Sequence, residues 1–236
     1  MNSTPSAAQA SQTSSSVVTK TFTPSVTTSF TLTVTDACGT VTSSPLTVTV
    51  LPAPTGLVAE ATSATTVELA WSYGGAADSF KVRRTGGGAT STITLAGTAR
   101  AFTDGGRTAN TSYTYEVYAV KSGVDSAFSN TELATTVVFG ADVSPGSKMF
   151  AADVETLRTA VNAVRARAGL AAAVLTDPGA VSALPIRAVH LTELRAALAQ
   201  ARTILGLPAV SYSAPALATG DFIRAADVNE LRGGVK

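Results

Sequence analysis

Between residues 18 and 51, apolar and polar positions alternate. In FTLTVTD, Phe30, Leu32 and Val34 alternate with Thr31, Thr33 and Thr35. In LTVTVL, Leu46, Val48 and Val50 alternate with Thr47 and Thr49. A period of two with β-branched residues on both faces predicts half-buried antiparallel strands. The intervening DACGTVTSSP is turn chemistry. Beyond the Pro-rich linker LPAPTGL, strands are predicted over Gly56–Ala61, Thr66–Ser72, Ser79–Thr85, Ser91–Leu95, Ser112–Lys121 and Glu132–Val138. The breaks YGGAAD, TGGGAT, DGGRTAN and KSGVDS carry Gly, Asp or Asn. A spacing of about 8–12 residues between such strands predicts a β-sandwich.

Near Val143 the period changes. Val154, Leu157, Val161 and Val164, then Leu191, Leu194, Leu198, Ala201 and Leu205, recur in steps of three and four. Each set places one apolar stripe on a helix. The segment itself repeats: MFAADVETLRTAVNAVRARAGL, IRAVHLTELRAALAQARTILGL and IRAADVNELRGGVK begin at Met149, Ile186 and Ile223, 37 residues apart. Arg158, Arg195 and Arg232 are equivalent, as are Arg165 and Arg202, and the connectors align Asp177-Pro178 with Ala214-Pro215. Gly169 and Gly206 stand where a left-handed helix stop belongs. Asp153 and Asp227 lie in a first turn, where a carboxylate suits the helix dipole. One such unit cannot bury its own stripe, so its neighbours supply the core.

Composition narrows the classes. Residues 1–17 are Ser, Thr, Ala, Gln and Asn with almost nothing to bury, and read as a flexible arm. Charged residues make up 14% of the chain, well under the usual share of about 25%, with Thr, Ser, Ala and Gly in their place. This fits secreted β-rich modules. A net charge of +1 gives no general field for nucleic acid or an anionic membrane. No apolar run approaches the roughly 18 residues of a membrane span. The N-terminus has neither a basic nor an apolar signal region, so it is not read as a signal peptide; if the protein is exported, the signal has been removed or lies upstream.

The stretch Ala53–Val138 resembles a bacterial fibronectin type III domain. The likeness lies in APTGLVAEATSATTVELAW, SFKVRR, AFTDGG, TSYTYEVYAVKSG and SAFSNTELATT. It implies that Trp71 is the core Trp of the second strand and that Tyr113 is a corner tyrosine bonded back to the backbone. Thr21–Leu51, with TPSVTTSFTLTVTDACGTVTSSPLTVTV, resembles the second half of a bacterial immunoglobulin-like domain. In such domains the cysteine of DACG pairs with one in an earlier strand, whereas Cys38 is the only cysteine of this sequence. The C-terminal repeat is similar to helical segments at the ends of large exported bacterial proteins, which implies location more than activity.

Few residues suggest chemistry. His190, the only histidine, takes the place of Asp153 and Asp227 in its repeat and has no motif supplying a nucleophile and orienting acid. It reads as a structural or surface histidine. Cys38 has neither a paired His nor further metal ligands nearby in sequence. It reads as a disulfide orphan or buried thiol, with an intermolecular disulfide as the minority reading. Gly86-Gly87-Gly88 lies between strands and reads as a hairpin turn, not a phosphate loop. The arginines 158, 165, 195, 202 and 232 read as partners of Glu155, Glu193 and Glu230 or as apolar cover, against a basic stripe. Asp104, Asp125, Asp142 and Asp177 read as turn residues. Tyr73, Tyr115, Tyr118 and Tyr212 are weighed as a sugar-stacking platform and assigned mostly to strand cores.

The expected architecture is multidomain: a flexible arm (1–17), a partial Ig-like β-sandwich (18–52), a fibronectin type III-like sandwich (53–139), then an all-α domain of three 37-residue repeats (140–236). No catalytic, cofactor or metal residues are assigned, and the binding residues stay open. The expected function is non-catalytic: a structural or adhesive protein of the cell exterior that assembles with itself through strand completion of the half-domain, with Val17-Val18-Thr19 in the donor arm. The alternative is the spacer or polysaccharide-binding tail of a large secreted hydrolase.

Overall fold

The computed structural model describes residues 27–146, 150–177, 186–218 and 223–236. The expected arm (1–17), the proposed donor and residues 18–26 of the half-domain lie outside them, as does Pro178 of the first connector. The chain divides between Val50 and Leu51 into two units.

The first unit contains a bent hairpin. Strands β1 (Thr28–Phe30) and β4 (Leu46–Val48) pair antiparallel, as do β2 (Thr33–Asp36) and β3 (Gly39–Thr42). Between the two ladders, Ser43 N donates to Leu32 O at 2.8 Å, and Leu32 N donates to Ser43 Oγ at 2.9 Å. One face carries hydroxyl pairs: Ser29 with Thr47 (2.7 Å), Thr33 with Thr42 (3.2 Å) and Thr35 with Thr40 (3.0 Å). Because side chains alternate along a strand, the other face carries the opposed pairs Phe30–Leu46 and Val34–Val41.

The second unit begins with eight strands. β5 (Thr55–Ser63), β6 (Thr66–Ser72) and β9 (Ala101–Gly105) form one sheet. β7 (Ser79–Gly86), β8 (Ala89–Ala96), β10 (Ser112–Lys121), β11 (Val124–Asp125) and β12 (Glu132–Thr135) form the other. β10 is its spine, pairing with β7 along one edge and with β12 and β11 along the other. Leu57, Val67, Leu69 and Trp71 of the first sheet meet Phe80, Val82, Tyr115 and Val117 of the second in a common core. The period-two reading anticipates six of these strands. It misses β9, because that strand turns Phe102 and a charged residue, Asp104, toward the interior. It also misses the two-residue β11, and it runs β12 three residues too far.

Three helices follow: α1 (Ala151–Arg167), α2 (Ala188–Ile204) and α3 (Ala225–Gly234). The apolar stripes become buried as the spacing predicts, with Val154, Leu157, Val161, Leu191, Leu194, Leu198, Val228 and Leu231 nearly inaccessible. α1 and α2 end on Gly169 (φ 74°) and Gly206 (φ 68°). In each, the following leucine closes the turn: Leu170 N donates to Arg165 O, and Leu207 N to Arg202 O, both at 2.9 Å. Gly169 N donates to Ala166 O and Gly206 N to Thr203 O, both at 3.1 Å, which completes the paired bonds of a left-handed stop in each helix.

The helices share their core with the sandwich. In β12, Ala134 faces the sandwich interior, while Leu133 and the downstream Val137 belong to the helical cluster. Arg167, at the end of α1, donates to Thr85 O (2.9 Å) and to Thr114 Oγ1 (2.6 Å). Residues 51–236 are therefore continuous in packing across residue 140. Truncating Leu133 to Ala removes a fully buried side chain from this junction. It is expected to cost about 3 kcal/mol and to lower one shared unfolding transition, read by chemical denaturation followed through Trp71 fluorescence and helical circular dichroism together.

Candidate functional site

The arginines singled out by the repeat do not form an external basic stripe. Arg158, Arg195 and Arg232 are buried, and their guanidinium groups hold backbone that has no strand or helix of its own. Arg158 Nη2 donates to Thr176 O (3.2 Å), Arg195 Nη1 to Ala214 O (2.6 Å) and Arg232 Nη1 to Ala141 O (2.9 Å). Two of them also reach the first turn of another helix: Arg195 bonds Asp227 Oδ1 and Arg232 bonds Asp153 Oδ1, each at 2.8 Å. The same aspartates accept the N–H of the residue before their helix, Arg224 N to Asp227 Oδ2 (2.8 Å) and Phe150 N to Asp153 Oδ2 (2.9 Å). Each carboxylate thus caps its own helix and neutralises a buried cation.

The outer arginines recur with the same spacing. Arg165 donates to Ala171 O and Ala197 O; Arg202 donates to Pro208 O and Gly234 O, each acceptor 37 residues further along. Glu193 and Glu230 do not pair with arginines as expected. They accept the connector N–H groups of Thr176 (2.8 Å) and Ser213 (3.1 Å). Only Arg158 finds its predicted glutamate, Glu155, at 2.9 Å.

His190 explains that exception. It stands where Asp153 and Asp227 stand, and it is buried. Its Nδ1 accepts Arg187 N–H (3.2 Å), so its Nε2 carries the hydrogen that points to Asp177 Oδ2 (3.1 Å). The His190 and Arg187 bonds hold the Asp177 carboxyl below its ordinary range. Asp177 sits at φ 52°, consistent with its reading as a turn residue. Asp104 is the reverse case. It is not a turn residue but a buried hub of β9, paired with Arg84 (2.7 Å) and Arg107 (3.3 Å), and accepting from Tyr115 Oη (2.9 Å). Burial first, then the Asp104 charge, push the Tyr115 phenol far above its usual range.

The weighed tyrosines are not brought together. Tyr115 is core, Tyr73 packs edge-on against Phe80 (5.1 Å) and Tyr212 lies over Arg195 (4.1 Å). Tyr118 meets Phe128 at 4.9 Å, beside Arg83. Tyr113 Oη accepts Thr108 N–H at 3.0 Å, the backbone tie that the resemblance implied. Gly86-Gly87-Gly88 is the hairpin turn between β7 and β8. Cys38 is exposed in the turn between β2 and β3. Among the described residues, no group of His, Cys, Asp and Glu could hold a metal ion, and no helix is long and apolar enough to cross a membrane.

The feature left without a structural role is the apolar side of the hairpin. Leu32, Val34, Val41 and Leu46 are 67%, 58%, 74% and 68% exposed, and each of its ladders is two strands wide among the described residues. Two-stranded ribbons of this kind are marginal alone in water. Hydrophobic pattern alone marks the apolar face. Nothing in the pattern marks its exposure.

No family model matches the chain, and no curated protein is similar to it by sequence. Among solved structures, the chain is similar to an Fn3-like protein from Clostridium thermocellum, with 33% identity over 37% of this chain and 94% of that one (TM-score 0.33). It is also similar to an FN3 domain of human collagen XX, with 22% identity over 36% and 92% (TM-score 0.34). A two-domain fibronectin type III segment of chicken tenascin matches at 20% identity over 40% and 57% (TM-score 0.36).

Two measurements test the site chemistry. Asp227→Ala leaves the Arg195 guanidinium buried without its carboxylate and is expected to cost about 3 kcal/mol. Glu155→Ala removes a carboxylate that is itself 44% exposed, where water can take its place beside Arg158, and is expected to cost less than Asp227→Ala; denaturant midpoints distinguish the two. Asp177 has a folded pKa below its unfolded one, so its contribution is present above the ordinary carboxylate range and lost as pH falls through it. Asp177→Asn therefore narrows the gap between the melting temperatures at pH 7 and pH 3, relative to the unaltered chain.

Proposed function

We propose that the chain is a non-catalytic structural or adhesive protein of the bacterial cell exterior, and that it assembles through its N-terminal hairpin. The observation carrying this reading is the exposed apolar face formed by Leu32, Val34, Val41 and Leu46. An apolar face of this sort is stabilised by whatever covers it, and a short sheet extends most readily by gaining a strand. The hydroxyl ladder on the opposite face suits solvent, which leaves one side for a partner. In this reading residues 18–52 are a partial immunoglobulin-like module, with residues 1–17 as a flexible arm that supplies the completing strand to a second copy. Residues 53–139 are a fibronectin type III-like module. Its support is the three-strand and five-strand pairing, Trp71 in the core and the Tyr113 tie to Thr108. Residues 140–236 are a module of three helical repeats, supported by the arginine bonds that recur 37 residues apart.

The alternative reading, a polysaccharide-binding tail of a secreted hydrolase, is favoured by one observation. Tyr118 and Phe128 lie edge to face beside Lys81 and Arg83, with Phe128 39% exposed. Retention on an insoluble glycan, lost in Tyr118→Ala, favours this alternative.

Light scattering and electron microscopy of the full chain across a concentration series test the main reading. Concentration-dependent oligomers or filaments are expected. The double variant Val34→Asp and Val41→Asp, which charges the apolar face without touching the sandwich core, is expected to remain monomeric with an unchanged melting temperature. A wild-type chain that stays monomeric at the highest concentration overturns strand completion between copies.

A further inference from the structure

The β7–β8 hairpin, residues 110–112 and the last turns of α1 enclose an open cleft of about 430 Å³, within the range of small-molecule sites. Its walls are short side chains and bare peptide. Gly86, at φ 152°, could not carry a Cβ, which would fall 2.5 Å from Ser112 O. The lining includes one charged side chain, Arg167, and no carboxylate.

Arg167 reaches the cleft from α1. Its Nε donates to Thr85 O (2.9 Å) and Thr114 Oγ1 (3.1 Å), and its Nη2 donates to Thr114 Oγ1 (2.6 Å). All of these acceptors are neutral, and Nη1 has no protein acceptor among the described residues. The buried arginines of α2 and α3 meet carboxylates; the half-buried Arg167 does not. Burial lowers its pKa, with Glu116 opposing the shift. An arginine nonetheless remains charged at neutral pH, so the cleft holds a partly desolvated cation with no ion-pair partner, which is a costly arrangement on its own.

We propose that this cleft binds a small monocarboxylate about the size of a single acidic sugar, with its carboxylate on the open side of Arg167. One cation balances one negative charge, and the planar guanidinium matches a carboxylate through paired N–H donors. The hydroxyls of Thr90 and Thr111 and the peptide groups of the glycine turn suit a hydroxylated body more than an apolar one. The site lies on the second unit and is independent of the hairpin face.

Calorimetric titration of the full chain with glucuronate at pH 7 and low salt tests this. Binding in the region of 1 mM is expected, an affinity within reach of a ligand this small. Arg167→Gln is expected to weaken it at least tenfold. Ala166→Leu pushes a larger side chain into the cleft beside Arg167 without removing any Arg167 acceptor, and is expected to weaken binding at least tenfold without lowering the melting temperature. Glucose, equal in size and uncharged, is expected not to bind. Absence of glucuronate binding at about 10 mM, or equal binding by Ala166→Leu, overturns the site; equal binding by glucose, or tighter binding by inorganic phosphate, overturns the monocarboxylate assignment.

Discussion

The second unit depends on a strand with no solvent face. β12 is only four residues long, yet Leu133 on one side enters the helical core and Ala134 on the other enters the sandwich core. A strand buried on both sides cannot slip by one residue, because a slip would exchange a leucine site for an alanine site. Its register on β10, with Tyr113 opposite Ala134 and Thr114 opposite Leu133, therefore sets where α1 can dock. Thr135 and Thr136, also buried, satisfy their hydroxyls within the same turn: Thr135 pairs with Ser112 Oγ, and Thr136 donates to Thr108 O and Thr111 O.

Given that anchor, the helices need a way to order connectors that form no strands. Peptide groups sequestered without partners are costly. The solution is the same at each step: a buried guanidinium from a helix supplies N–H donors to the connector carbonyls. Arginine suits this use because its donors are fixed in one plane and its charge is weakly hydrated. The limit of the scheme is also repeated. The Nε atoms of Arg158, Arg195 and Arg232 are all buried without a hydrogen-bond partner, so three equivalent sites carry the same small shortfall.

The helical half was largely legible in the sequence, since steps of three and four and the glycine stops report directly on helix faces and ends. The sandwich strands were legible wherever inward positions are apolar. β9 was lost because Asp104 occupies an inward position, and hydrophobic alternation cannot mark a charge that is paired with Arg84 and Arg107. The arginine roles were legible only in part, in the Arg158–Glu155 pair, for a related reason. Their repeat was plain, but their acceptors are mostly carbonyl oxygens, which every residue possesses and no pattern can reveal. The capping role of His190 was not legible, because it depends on Asp177, across a connector. The junction at β12 was hidden because LATTVVF reads equally well as the end of one module or the start of a linker.

The clamp formed by α3 carries a mechanical consequence. Arg232 ties the last helix to Asp153 and Ala141, and Asn229 holds Val143 through both its amide oxygen and its amide nitrogen. These bonds join the end of the chain to the segment leaving the sandwich. Tension applied at Lys236 therefore loads a few side-chain contacts before it reaches any strand ladder. Under such tension the final helix, with the buried Val228 and Leu231 that hold it, would give way before the strands and lengthen the chain.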